Sequence, residues 1–238
     1  MKEEELVRDG KRTDGRRLDE IREMEAKIGV VKNAYGSGLF RFGNTIAIAS
    51  VYGPSEAYKP FERPDKAFLI CDYKMLPFST QERTKLRSRR SEEISMVITR
   101  AFENVLFLEE MPRTKIRVSI QIINAEASTR CAAINACSLA FADASIPMKD
   151  LLCSISVGKI DGKIALDIAG KEDSYGECDM AIAYLPVNDS IYLLQADGDL
   201  SREEFKEALS LGINGCLKVY EVMKKCLIEG NEYVGPRV

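Results

Sequence analysis

One segment of this 238-residue chain carries almost no side-chain bulk, and that limits how the chain can pack. An alternating run, Ile116-Arg-Val-Ser-Ile-Gln-Ile-Ile123, reads as a strand. Asn124-Ala-Glu-Ala-Ser-Thr-Arg130 then leads into a helical stretch built on Ala132, Ala133, Ile134, Ala136, Cys137 and Ala140. A helix so bare can press close against a sheet, which would hold its first turn rigidly at the strand end. Ser128 or Thr129 is placed to cap it, leaving free N–H groups and the positive dipole end beside Arg130. Such a helix start suits a phosphate. It also suits an ordinary core helix, and the stretch alone does not separate the two.

The chain has no histidine, which excludes Ser-His-Asp and Cys-His catalysis, histidine-ligated zinc and histidine proton shuttles. Chemistry here has to rest on carboxylates, arginines, lysines, hydroxyls and a hard metal ion. The seven cysteines are scattered without a Cys-x-x-Cys pair, so neither a disulfide framework nor a zinc site is expected. A formal charge of −3 argues against blanket nucleic-acid coating, so any RNA or DNA would meet a local basic patch. No run approaches the ~20 apolar residues of a membrane span, and Met1-Lys-Glu-Glu-Glu-Leu6 lacks a signal-peptide layout. The expectation is a cytoplasmic protein without membrane contact.

Residues 1–13 are charged and expected to be loose, with 14–238 forming the domain. Ile28–Val31, Gly38–Phe42, Thr45–Tyr52 and Ala67–Met75 read as strands, with Gly53-Pro54 ending the meander and 55–65 a loop. Arg83-Thr-Lys-Leu-Arg-Ser-Arg-Arg90 is strongly basic and precedes a helix with apolar positions Ile94, Val97, Ile98, Ala101, Phe102, Val105 and Leu108. If Ser88 caps this helix, Arg89 and Arg90 occupy a first turn where the dipole disfavours cations, and an anion there would offset that. A solvated basic loop is the plainer reading of the charge run. Strands across 151–195 precede a last helix from Ser201, opened by a capping box with Glu204. The order suggests two β-then-α halves packed as one α+β domain. Finally, Lys171-Glu-Asp-Ser-Tyr-Gly-Glu-Cys-Asp-Met180 gathers Glu172, Asp173, Glu177 and Asp179. It suits Mg2+ or Mn2+, or is simply an acidic surface turn.

Taken in series, these pieces resemble the ribonuclease PH family of phosphorolytic exoribonucleases, in particular the catalytic ring subunit of the archaeal exosome. The likeness runs from Asp14-Gly-Arg-Arg17 to the last helix. Its markers are Gly43-Asn-Thr45, Val51-Tyr-Gly-Pro54, Pro77-Phe-Ser79, Ser88-Arg-Arg-Ser91, Thr129–Asn135, Ala142–Met148, Val157–Gly162 and Tyr175–Met180. The resemblance implies a ribonuclease PH-like fold and a reaction in which inorganic phosphate attacks the 3′-terminal phosphodiester of single-stranded RNA, releasing a nucleoside diphosphate. Run backwards, it would add a tail.

Carried over by resemblance, Arg89 and Arg90 grip the RNA backbone, Arg90 also facing phosphate. Ser128, Thr129 and Arg130 form the phosphate-binding helix start, Asp173 and Asp179 are the catalytic, metal-holding aspartates, and Lys59 offers a basic contact to RNA in the channel. The partners implied are a homologous inactive subunit, giving a hexamer of three heterodimers, and RNA-binding cap proteins. Two other readings stay open: a stand-alone homohexamer that trims tRNA 3′ ends, and a non-catalytic RNA-binding ring subunit. The chain departs from the family at Ser128, usually glycine, at Glu126, usually aspartate, and at Cys178, usually alanine. Ser128 bears on phosphate affinity.

Overall fold

The computed structural model describes residues 6–8, 10–83, 85 and 88–232. A hairpin of β1 (Val7–Arg8) and β2 (Lys11–Arg12) comes first, followed by β3 (Met24–Ile28), β4 (Gly36–Phe42), β5 (Thr45–Glu56) and β6 (Phe68–Met75). Helix α1 (Arg89–Glu103), β7 (Thr114–Asn124) and α2 (Thr129–Asp143) complete the first half. The second half comprises β8 (Cys153–Ile160), β9 (Lys163–Leu166), α3 (Lys171–Tyr175), β10 (Cys178–Leu185), β11 (Ser190–Gly198) and α4 (Arg202–Glu232).

The strands form a five-stranded sheet, β3-β4-β5-β7-β6, and a four-stranded sheet, β11-β10-β8-β9. Helix α2 packs against β4, β5 and β7 of the first sheet and β8 and β10 of the second. It therefore has no solvent face: all but two of its side chains, Arg130 and Ala142, are buried. Small residues make this possible, because bulk would push the sheets apart. At Gly38 of β4 a Cβ would lie 2.5 Å from the Ala136 carbonyl oxygen, so the strand backbone rests directly on the helix. Phe102 of α1 and Phe141 of α2 stack with centroids 4.9 Å apart, tying the outer helix to the central one. One hydrophobic cluster runs through both halves, as expected for an α+β domain with two β-then-α halves.

Only β6 and β7 run parallel among the described strands. Their C-terminal ends therefore lie at the same edge of the sheet. Each is followed by a helix, α1 after β6 and α2 after β7, so both helix starts return to that edge.

Three local expectations need correction. The first strand of the five-stranded sheet is Met24–Ile28 rather than Ile28–Val31, because Gly29 turns the chain at φ 67°. Strand β5 does not stop at Gly53-Pro54 but continues to Glu56, its pairing with β7 slipping between Tyr52 and Ser55. The described part of residues 1–13 is docked rather than loose. Leu6 and Val7 pack on Ile160 and Ala165, and the buried Arg12 donates to Glu172 Oε1 at 2.8 Å and to the carbonyls of Leu166 and Asp167. A guanidinium can be buried when its donors are all met in this way.

Candidate active site

Helix α1 begins as the sequence indicates. Ser88 is its N-cap, accepting from the Ser91 N–H at 3.1 Å, which puts Arg89 and Arg90 in the first turn. Helix α2 does not begin as expected. Ser128 precedes it at φ 55° and makes no side-chain cap. Its hydroxyl is turned inward, 2.7 Å from Ser156 Oγ, and donates to the Ile168 carbonyl at 3.1 Å. Ala127 is also left-handed, at φ 61°. Side chains disfavour that region, which accounts for a glycine fitting position 128.

The residues around this turn hold it in place. Thr45 Oγ1 donates to the Ala127 carbonyl at 2.8 Å and accepts from the Glu126 N–H at 3.0 Å. Arg22 Nη1 donates to the Glu126 carbonyl at 2.7 Å, and the Ala125 N–H donates to the Ser79 carbonyl at 2.8 Å. The Gly43-Asn-Thr45 and Pro77-Phe-Ser79 segments thus act as clamps on the start of α2. The Ala132 N–H donates to the Ser128 carbonyl at 3.1 Å, and the N–H groups that precede it lie at the open end of the helix.

Arg90 from α1, Arg130 from α2, Asp173 from α3 and Asp179 from β10 line a single cleft of about 520 Å³. Glu93, Gln195 and Asp197 line it as well, none of them singled out by the sequence. Asp179 and Asp197 are cross-strand partners in β10 and β11. Alternation in the second strand could have pointed to Asp197 as a residue on the Asp179 face. Burial, then Asp173, raises the Asp179 carboxyl to about 6, with Arg130 and Arg90 pulling it down and Asp197 pushing it up.

The acidic segment divides in two. Glu172 is buried in its ion pair with Arg12 and accepts from the Ala169 N–H at 3.0 Å. Glu177 pairs with Lys159 at 3.2 Å and accepts from the Gly162 N–H at 2.6 Å. Both also border the cleft, but these bonds commit their carboxylates to fastening the segment, unlike those of Asp173 and Asp179. Arg130 approaches Glu93 at 4.0 Å, and Gln195 donates to Glu93 at 3.0 Å. Arg130 Nε and Gln195 Oε1 are buried without a hydrogen-bond partner in the protein. Ser128, Thr129, Arg89 and Lys59 do not line the cleft itself. Arg89 and Lys59 are exposed, while Thr129 is the buried first residue of α2.

Among the described residues no three carboxylate or thiol side chains converge closely enough to hold a metal by themselves. Two crowded carboxylates, one with a raised pKa, still fit a hard divalent ion that keeps water and substrate oxygens as its other ligands.

Two arginines at adjacent helix starts, facing a carboxylate pair, make a site for phosphoryl chemistry between anions. The chain belongs to the 3′ exoribonuclease, or ribonuclease PH, family: residues 20–147 match its domain 1 and residues 150–215 its domain 2. It is 49% identical over 222 residues to exosome complex component Rrp41 of Pyrococcus furiosus, covering 92% of this chain and 89% of the relative. With the protein of the same description from Thermococcus kodakarensis it shares 47% over 235 residues, 94% of each. The crystal structure of rice (Oryza sativa) Rrp46 has the same fold, with a TM-score of 0.82, 24% identity and coverage of 91% of this chain and 99% of that one. The chain is a phosphate-dependent 3′-to-5′ exoribonuclease.

Proposed function

We propose that this cleft removes nucleotides from the 3′ end of single-stranded RNA as the catalytic centre of an exosome ring. Arg90, Arg130 and the start of α2 with Thr129 hold orthophosphate. Arg89 and Lys59 hold the RNA backbone outside the cleft, and Asp173 and Asp179 hold Mg2+ or Mn2+. Ser128 serves through its backbone, since its hydroxyl is committed to Ser156 and Ile168. The observation carrying this reading is the meeting of Arg90, Arg130, Asp173 and Asp179 in one cleft from four separate elements.

An oxygen of orthophosphate attacks the phosphorus of the terminal phosphodiester. The bond from phosphorus to the 3′ oxygen of the penultimate nucleotide breaks, and that oxygen takes a proton. The products are a nucleoside 5′-diphosphate and a chain one nucleotide shorter. Phosphate is already an anionic nucleophile, so no histidine base is needed, and the obstacle is bringing two anions together. Arg90 and Arg130 lower it by offsetting charge where it accumulates, and their planar guanidinium groups can take two oxygens at once. A divalent ion on Asp173 and Asp179 would supply charge stabilisation at the departing 3′ oxygen.

The likeness to exosome components supports a ring shared with a homologous inactive subunit, three heterodimers in all, carrying RNA-binding cap proteins in the cytoplasm. Incubating the chain with labelled single-stranded RNA, phosphate and Mg2+, with and without such a partner, tests both parts. Nucleoside diphosphate should appear only with phosphate present. Monophosphate release without phosphate contradicts the mechanism. Full activity of a homohexamer of this chain alone contradicts the mixed ring and favours a stand-alone ribonuclease PH.

A further inference from the structure

Asp167, between β9 and α3, is fully buried and does not line the cleft, yet four N–H groups converge on its carboxylate. The Arg22 backbone N–H and Nε donate to Oδ2, each at 2.9 Å, Arg22 Nη2 donates to Oδ1 at 2.7 Å, and Arg16 Nη1 donates to Oδ2 at 3.1 Å. A buried ion pair is a weak source of stability, because desolvation offsets most of the attraction and apolar residues often serve as well. What it adds is geometry, since a planar fork on a carboxylate fixes angle as well as distance. The remaining nitrogen of Arg22 reaches across the site: Nη1 donates to the Glu126 carbonyl at 2.7 Å, four residues before Arg130 in the loop that opens α2. Asp167 in turn stands six residues before Asp173. One guanidinium thus joins the loop carrying the arginine side of the cleft to the segment carrying the carboxylate side. The Asp167 backbone is equally committed. It sits at φ 53°, its N–H donates to the Ser156 carbonyl at 2.8 Å, and its carbonyl accepts from Arg12 Nη2 at 2.8 Å. A residue with a side chain disfavours that left-handed conformation, so the surrounding bonds hold it there. The Ser128 hydroxyl, donating to the Ile168 carbonyl, is a second tie across the same seam.

We infer that Arg22 and Asp167 are positioning residues for phosphorolysis: as a pair they set Arg130 and Asp173 at the separation that lets orthophosphate meet the terminal phosphodiester. Neither touches substrate, and both act through the backbone they fix. The inference rests on the phosphorolytic reading above and adds to it the joint between the two sides of the cleft. Loosening that joint leaves each side its own groups, Arg90 and Arg130 on one and the aspartates on the other. What is lost is their register, and a misplacement of about 1 Å can cost on the order of a hundredfold in rate.

The test compares the wild-type full chain, in its active assembly, with Arg22→Lys, Asp167→Leu and the double variant Arg22→Met with Asp167→Leu. The double variant leaves no unpaired charge at the joint and should unfold at a higher denaturant concentration than Asp167→Leu alone, which deprives Arg22 of its carboxylate. Its kcat should nevertheless stay about a hundredfold below wild type, with KM for phosphate and Kd for RNA each changed less than about threefold. Arg22→Lys keeps the charge but not the fork, and should lower kcat about tenfold with the same split. A pair that served the fold alone would give back kcat together with stability. A double variant that folds and turns over within about twofold of wild type therefore overturns the inference, and so does a loss lying wholly in KM for phosphate. Should the double variant fail to fold, Arg22→Lys decides, and a kcat within about twofold of wild type overturns the inference. Either result with an active wild type refutes this inference alone, whereas a wild type with no phosphate-dependent release of nucleoside diphosphate refutes the reading beneath it.

Discussion

Asp179 and Asp197 stand directly opposite one another across β10 and β11, two like charges at the floor of the cleft where a neutral pair would be more stable. Burial first, then Asp173, raises the Asp179 carboxyl to about 6 from an ordinary 3.8, and Asp197 adds to that rise. The folded metal-free chain therefore binds the Asp179 proton more readily than the unfolded chain does. By linkage, its stability rises as pH falls from above 6 towards 4.

Asp179→Asn should accordingly melt higher than wild type at pH 8 in EDTA, and the difference should shrink towards pH 4. Its phosphorolysis should fall by about three orders of magnitude, with RNA still bound. Thermal melts across pH beside a turnover assay check both. A lower melting temperature at pH 8 would show that the carboxylate is not under like-charge strain.

Arg12 and Glu172 place Asp173 by fixing the short helix α3. Arg12→Ala leaves a buried carboxylate unpaired and should cost about 3–5 kcal/mol in denaturant unfolding. Replacing both partners, Arg12→Met with Glu172→Leu, should cost less than Arg12→Ala alone, because no charge is then left buried. In the double variant catalysis should still be impaired, since α3 loses its anchor.

Ser128→Gly removes a side chain from φ 55° but also removes the hydroxyl bonds to Ser156 and Ile168. The two effects are each about 1 kcal/mol and opposite in sign, so stability should change by less than about 1 kcal/mol. Because the hydroxyl faces away from the cleft, KM for phosphate should stay within about twofold of wild type. A tenfold rise would mean that Ser128 reaches the anion.

RNA binding through arginines and a lysine reads the backbone rather than the bases. Affinity should fall steeply with salt and depend little on the 3′ base, and Arg89→Ala should reduce the log–log salt slope by about one. Arg90→Lys should keep most of the RNA affinity but lose phosphate affinity, since an ammonium cannot make the two-pronged contact. Filter binding over a salt series and phosphate titrations measure these effects.

Much of the chemistry was legible because it depends on residue type and local order. The Ser88 cap and the Ser201–Glu204 capping box are as expected, the latter with the Ser201 N–H donating to Glu204 at 2.7 Å and the Glu204 N–H donating to Ser201 Oγ at 3.3 Å. The helix-by-helix pattern of small and apolar side chains was equally readable, because burial selects for it along each element.

By itself the sequence determined the α+β layering, the two arginine-bearing helix starts, the acidic segment, and a chemistry without histidine. Only the tertiary structure decided which acidic residues are free to act. Glu172 and Glu177 differ from Asp173 and Asp179 through their partners Arg12 and Lys159, which lie far off along the chain or on another strand. It alone also turned Ser128 inward and set Asp197 beside Asp179. The reason is physical: a side chain's charge and shape are written in its own position, whereas its desolvation and its partners depend on which distant segments fold against it.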